Sequence, residues 1–209
     1  MLYIQKKNEP EAVIKWKRKY KGTPPFETIP EKEKHLLRDS LLKEQGNICC
    51  YCCGRISAND SHIEHFHPKS KYPNLSLEYQ NLFASCNGGS YKKHCGQYKD
   101  NNFDEKKLIS PLEPDCADHF IFDEFGEILP ADEEDIRAEY TIKILNLNAP
   151  RLKKAREEAY WAALEEDEDL RNPGSEARRQ KLIQKFNTIS EDGKQIPYRD
   201  LILYFLRKG

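Results

Sequence analysis

The sequence predicts an α+β fold that is mostly α, with helical segments on either side of a small cysteine-rich centre. Three observations lead there. Apolar residues recur at helical spacing near both ends of the chain. Six of the seven cysteines and four of the six histidines lie between Ile48 and Asn102. That same stretch has few apolar runs, so it cannot bury much surface and needs a metal staple to hold it.

Taken in order, residues 8–21 read as a basic helix whose apolar residues are Val13, Ile14 and Trp16. Thr28 and Glu31 have the spacing of a capping box around Pro30, which starts a helix running to Gln45, with Gly46 as its stop. Leu37, Leu41 and Leu42 give that helix its apolar face. Residues 119–130 alternate and turn at Phe125-Gly126, the pattern of a β-hairpin. From Asp132 the chain reads as helix: Ile136, Tyr140, Ile144 and Leu147 keep the spacing, Arg151–Leu170 is strongly helix-forming, and Pro173-Gly174 breaks it. Further helices are expected over 175–188 and 197–207, and the run EEDEDL at 165–170 is expected to be a solvated helix end. The expected division is an N-terminal helical segment (1–45), a cysteine-rich module (46–110), an acidic segment with a hairpin (111–131) and a C-terminal helical region (132–209).

Composition excludes several classes. The chain has 209 residues, 33% of them charged and 38% hydrophobic. No apolar run approaches the roughly 20 residues that a membrane span needs. The start, MLYIQKKNEPEAV, lacks the apolar stretch of a signal peptide, so a cytoplasmic protein is expected. Seven cysteines are an odd number, and a reducing compartment keeps them as thiols, which favours metal binding over a disulfide scaffold. The net charge of −1 conceals an uneven distribution: 11 basic against 7 acidic side chains in residues 1–50, but 2 against 11 in 111–150. A slightly basic first half is compatible with phosphate contact.

Cys49-Cys50-Tyr51-Cys52-Cys53-Gly54 holds two overlapping C-x-x-C registers, 49/52 and 50/53. Two residues between thiolates let one tight turn place both sulfurs on one Zn²⁺. The second pair must come from Cys86, Cys95 and Cys116, and Cys116, in an acidic stretch, is the weakest candidate. Between the pairs lies His62-Ile63-Glu64-His65-Phe66-His67-Pro68, then Asn81-Leu82. A carboxylate beside a histidine pairs a ligand for a hard cation with a base that works near neutral pH. Neighbours on a strand point to opposite faces, so both reach one site only if the backbone bends.

The ordered motifs C-x-Y-C, I-E-H-F-x-P-K-S, N-L-x-x-x-C and H-C-G-x-x-K resemble the HNH endonucleases, whose site is a ββα-metal finger. Among these they are most similar to the PtuB-type nucleases of Septu and retron anti-phage systems, which work beside a PtuA-type ATPase. The motifs cover about residues 46–102, with weaker similarity at Ile109-Ser110-Pro111-Leu112 and Leu145-Asn146-Leu147-Asn148.

The resemblance implies a zinc-stapled ββα-metal finger over 46–110. It makes His65 the general base and gives Glu64 the catalytic divalent ion, Mg²⁺ or Mn²⁺. Asn81 orients the His65 loop by hydrogen bonding. The resemblance also selects Cys49, Cys52, Cys86 and Cys95 as the ligands of structural zinc, leaving Cys50 and Cys53 as flanking residues. The third catalytic residue is open among His94, Asn87, Lys99 and Asn101, with His94 favoured. The implied partners are nucleic acid (DNA or RNA, tRNA included), a PtuA-type ATPase docked on residues 132–209, and a retron reverse transcriptase with its non-coding DNA or RNA. Lys92, Lys93 and Lys99 are placed where a basic helix meets a phosphodiester backbone. His62 and His67 are either phosphate contacts or turn histidines, and His35 and His119 are surface or structural residues.

Two rival functions are a non-catalytic zinc-finger adaptor, against which Glu64-His65 argues, and a toxin-like effector that is silent until a partner releases it.

Overall fold

In the computed structural model, which describes residues 1–89, 93–167 and 170–208, helices predominate and the strands form two separate two-stranded sheets. Lys92, Glu168 and Asp169, named above on sequence grounds, lie outside the described residues. No helix among the described residues is long and apolar enough to cross a membrane.

Helix α1 (Glu11–Lys17) is shorter than the basic run predicts, because only Val13 and Trp16 face the interior. Helix α2 (Glu31–Glu44) buries Leu37, Leu41 and Leu42. The capping box does not form: Pro30 is the N-cap, and the Thr28 hydroxyl donates instead to the Pro25 carbonyl at 2.7 Å. The Gly46 stop does form. Gly46 takes φ 61°, its N–H donates to the Lys43 carbonyl, and the Asn47 N–H donates to the Leu42 carbonyl. These two bonds satisfy the last carbonyls of α2 and swing the chain into the first cysteine pair.

Strands β1 (Ser61–His65) and β2 (Leu82–Cys86) pair antiparallel, with Ser61 opposite Cys86 and His65 opposite Leu82. The one-turn helix α3 (Gly96–Lys99) follows. Strands β3 (Phe120–Phe122) and β4 (Ile128–Pro130) form the expected hairpin around Gly126, whose φ is 75°. The C-terminal helices are α4 (Ile136–Ile144), α5 (Pro150–Glu166), α6 (Glu176–Asn187) and α7 (Arg199–Lys208). In the predicted stripe Leu147 is buried, but Ile136 is 64% exposed at the first position of α4.

One apolar cluster joins Val13 and Trp16 of α1, Leu82 and Phe83 of β2, and Leu152, Leu164, Leu201 and Leu206 of the C-terminal helices. The tail is also hydrogen-bonded to the cysteine loops. Tyr198 N–H donates to the Cys53 carbonyl at 2.9 Å, Gln195 N–H to Gly46 at 2.9 Å, and Cys95 N–H to Leu145 at 2.8 Å.

Candidate functional site

Four sulfurs gather first. Cys49 and Cys52 sit on the tight loop after Gly46, closed by Cys49 N–H to the Gly54 carbonyl and Cys53 N–H to the Cys49 carbonyl. Cys86 ends β2, and Cys95, at φ 57°, opens α3. The Sγ atoms of Cys49, Cys52, Cys86 and Cys95 all lie within 4.8 Å of one another, and those of Cys52 and Cys86 are 3.9 Å apart. Tetrahedral zinc with Zn–S of about 2.3 Å requires S···S distances of about 3.8 Å, so this donor set fits Zn²⁺. Cys50 and Cys53 lie outside the cluster, and Cys116 does too, so the 49/52 register is the one that converges. Burial opposes ionisation of Cys49, yet thiol hydrogens from Cys50, Cys52, Cys86 and Cys95 pull it well below its ordinary value. Cys52 and Cys95 are pushed up, Cys52 mainly by its bonds to Cys49 and Cys86 and Cys95 mainly by burial. The four thiols thus favour a thiolate at Cys49, and zinc binding would require the others to give up their protons as well.

Glu64 and His65 are both buried, and β1 runs straight through them with its ladder intact. Without the bend, they face opposite sides of the strand. The Glu64 side is filled by the chain itself. Oε1 lies 2.9 Å from Lys99 Nζ and accepts the Tyr51 hydroxyl at 3.1 Å, while Oε2 lies 3.3 Å from His62 Nε2. A Cβ on Gly96 would collide with this carboxylate, so glycine is what lets α3 approach it. Burial works against the Glu64 carboxylate, but His62 and Lys99 outweigh it and hold the group below its ordinary value. Lys99 was expected to meet phosphate or complete a metal site. It is instead 1% exposed and ion-paired.

On the other side, His65 Nε2 lies 3.0 Å from the Ser76 carbonyl. A carbonyl only accepts, so Nε2 carries the hydrogen and Nδ1 the lone pair. Among the described residues Nδ1 has no hydrogen-bond partner, and it is not one of the polar atoms sealed from solvent. The Phe26 ring meets the imidazole edge-on at 4.5 Å. Burial lowers the His65 pKa below its ordinary value despite the Ser76 bond, which favours the neutral ring.

Asn81, also buried, clamps the chain just beyond His65. Its Oδ1 accepts the His67 N–H at 2.7 Å, its Nδ2 donates to the His67 and Leu75 carbonyls, and its carbonyl accepts the Phe66 N–H. His67 Nδ1 also lies 3.0 Å from Asn81 Oδ1, and its ring packs on Tyr72 and Phe103. His94, favoured from sequence as the third catalytic group, points at sulfur. Its Nδ1 is 3.2 Å from Cys95 Sγ and 3.6 Å from Cys86 Sγ, because it directly precedes a cluster cysteine. Asn87 pairs with His62, and Asn101 with Ser70. Sequence reasoning missed Tyr51, His62 and Ser76. The i, i+2 spacing of His62 and Glu64 on one strand face was the available signal for the second; Ser76 contributes only a carbonyl and leaves none.

No family model matches the chain. Three curated proteins do match. A chain named for the HNH endonuclease of retron Vc95, from Vibrio cholerae, is 35% identical over 131 residues, 59% of this chain and 62% of that one. The Septu protein PtuB of Bacillus thuringiensis is 30% identical over 118 residues, covering 55% and 42%. A chain named for the HNH endonuclease of retron Ec83, from Escherichia coli, is 31% identical over 164 residues, covering 57% and 62%. The chain resembles HNH proteins of phage-defence systems. It spans less than two thirds of each of these relatives.

Proposed function

We propose that this chain is an HNH-type endonuclease that hydrolyses phosphodiester bonds, on a ββα finger formed by β1, β2 and α3 and held by zinc on Cys49, Cys52, Cys86 and Cys95. The observation that carries this reading is the state of His65: a buried imidazole, its Nε2–H tied to a carbonyl, its Nδ1 lone pair open, and its pKa lowered. That is the arrangement of a base ready at neutral pH. Water would give its proton to His65 Nδ1 as its oxygen attacks phosphorus and the bond to the leaving oxygen breaks. In RNA the neighbouring 2′-hydroxyl is a second nucleophile open to the same base. Asn81 holds the backbone beyond His65 in register for the attack.

The HNH resemblance also brings a catalytic Mg²⁺ or Mn²⁺. The oxygens of Glu64 as folded are taken by Lys99, Tyr51 and His62, and this donor set does not fit a divalent ion at that carboxylate.

The relatives' names support a place in a retron- or Septu-type defence system. The HNH resemblance adds a PtuA-type ATPase as partner, and residues 132–209 are read as its docking region. Much of that region is internal, so docking falls to outward residues such as Trp161, which is 41% exposed. The test is incubation of the purified chain, alone and with its neighbouring ATPase, with plasmid DNA and with total RNA. Cleavage is expected from the wild type and not from His65→Ala. Equal activity in both would move the chemistry elsewhere. No cleavage by either, with nucleic acid bound, would favour the zinc-finger adaptor.

A further inference from the structure

Among the described residues, Lys99 is the one lysine buried to 1% exposure beside the proposed site. Its ammonium sits among oxygens: Glu64 Oε1 at 2.9 Å, the His65 carbonyl at 3.1 Å and the Phe66 carbonyl at 3.4 Å. A carboxylate with backbone carbonyls is the hard-oxygen donor set that divalent ions use. Burying an ammonium is costly unless it is paired and hydrogen-bonded, and here, with the Asp100 carbonyl at 3.5 Å, four oxygens lie within reach of its three hydrogens. The placement follows from local sequence. Cys95 and Lys99 are four residues apart, one helical turn, so the cysteine loop that positions Cys95 also sets where the ammonium arrives.

We infer that Lys99 is the resident cation of the Glu64 carboxylate: its ammonium takes the seat of a divalent ion, and Glu64 holds none in the wild-type chain. Lys99 is then a positioning residue. It neutralises Glu64 and ties down the His65 carbonyl, while Asn81 ties the next two residues, so the strand carrying the proposed base is pinned from two sides. The catalytic meaning of this rests on the nuclease reading above; the occupancy itself does not.

The test is a Mn²⁺ titration of the zinc-loaded full chain, read as free Mn²⁺ by electron paramagnetic resonance, with no nucleic acid present. Wild type and Glu64→Gln are expected to give the same isotherm. Lys99→Met, which keeps the length of the side chain without its charge, is expected to gain one Mn²⁺ per chain, and Lys99→Met/Glu64→Gln to lose it again. A wild-type chain that binds one Mn²⁺ more than Glu64→Gln overturns the inference, as does a folded Lys99→Met that gains none. Should the variants not retain zinc and helix content, the ¹⁵N resonance of the Lys99 ammonium in the wild type decides. It is expected to stay sharp with one equivalent of Mn²⁺, and its loss overturns the inference. A chain that cuts nothing can still give the expected isotherms, and a chain that cuts while binding Mn²⁺ through Glu64 loses the Lys99 inference alone.

Discussion

Two largely buried groups of ligand atoms, four sulfurs and the Glu64 carboxylate, lie around β1 and β2, and the chain supplies them with cations differently. Four sulfurs converge within 4.8 Å, and among the described residues no ammonium or guanidinium is hydrogen-bonded to them. Around Glu64 the chain supplies a lysine, a tyrosine hydroxyl and an imidazole. In the proposed reading the first centre takes its cation from outside, and the second has its cation once the chain has folded. Proximity to an acidic group is therefore a poor guide to metal binding by itself. What matters is whether the fold already brings a positive charge to the same oxygen.

The largest expected effect breaks the comparison at the sulfur centre. Structural zinc is worth about 10–16 kcal/mol of binding free energy in small zinc fingers, and that energy is folding energy. Removing zinc with a chelator, or making Cys49→Ser or Cys86→Ser, is expected to unfold the 46–110 segment. Elemental analysis should find one zinc per wild-type chain, and amide exchange should show lost protection in β1 and β2. No zinc, or zinc retained when Cys49 and Cys52 are both replaced, would return the ligand set to Cys50 and Cys53.

Next comes the proposed base, His65, on the opposite face of β1. His65→Ala is expected to lower cleavage by about 10²–10⁴-fold while leaving the zinc in place, the range for a general base. The wild-type pH profile sharpens the point. Burial lowers the His65 pKa from its ordinary value of about 6.5, so the imidazole stays neutral further into acid. The rate is expected to hold level near neutrality and fall only below about pH 6.5. The sign for stability agrees: a depressed pKa contributes stability above the ordinary value, lost as pH falls through the folded one. A rate still rising well above pH 7 would assign that limb to another group.

The two centres were unequally legible in the sequence, for a physical reason. The cysteine loop is local: the C-x-x-C spacing and the glycine stop were legible, and Gly46 ends α2 as its position predicts, but spacing left two registers open and the 49/52 choice came from the HNH resemblance. Glu64 and His65 were legible as types, but their surroundings were not, because the partners are tertiary. Lys99 comes from 35 residues downstream, and Ser76 offers a backbone carbonyl that no side-chain pattern marks. His94 was legible as the neighbour of Cys95, and that adjacency carries its Nδ1 to the sulfurs. The capping box failed because Pro30, not Thr28, takes the N-cap position of α2, and the Thr28 hydroxyl donates to the Pro25 carbonyl instead. In the C-terminal region the helices were legible and their burial was not: Ile136 fits the stripe yet lies outside the core.

A smaller effect separates the faces of β1. Asn81→Ala removes the acceptor of the His67 N–H and the donor to two carbonyls, leaving buried backbone groups unpaired. Such losses cost about 1–3 kcal/mol each when water cannot replace the partner. Urea denaturation is expected to show about 2–3 kcal/mol lost, with zinc content unchanged and cleavage reduced further than stability alone explains. Unchanged cleavage in a folded Asn81→Ala would remove Asn81 from the positioning of His65.

The smallest expected effect probes the residue that joins the two centres. Tyr51 lies between Cys49 and Cys52, fully buried, and its hydroxyl donates to Glu64 Oε1 at 3.1 Å. Tyr51→Phe keeps the ring and its packing but removes one of the two donors at that oxygen. Lys99 remains within 2.9 Å, so the carboxylate stays neutralised. The loss is then one hydrogen bond to a charged acceptor, worth about 1.5–3 kcal/mol at most and less where Lys99 tightens to compensate. The sulfurs do not depend on the hydroxyl, so zinc affinity should not move. Competition with a chromophoric chelator measures that affinity, and thermal unfolding measures the cost. If Tyr51→Phe weakened zinc binding as much as it weakened the fold, the two centres would be one coupled unit, and the contrast between a borrowed cation and a built-in one would lose its meaning.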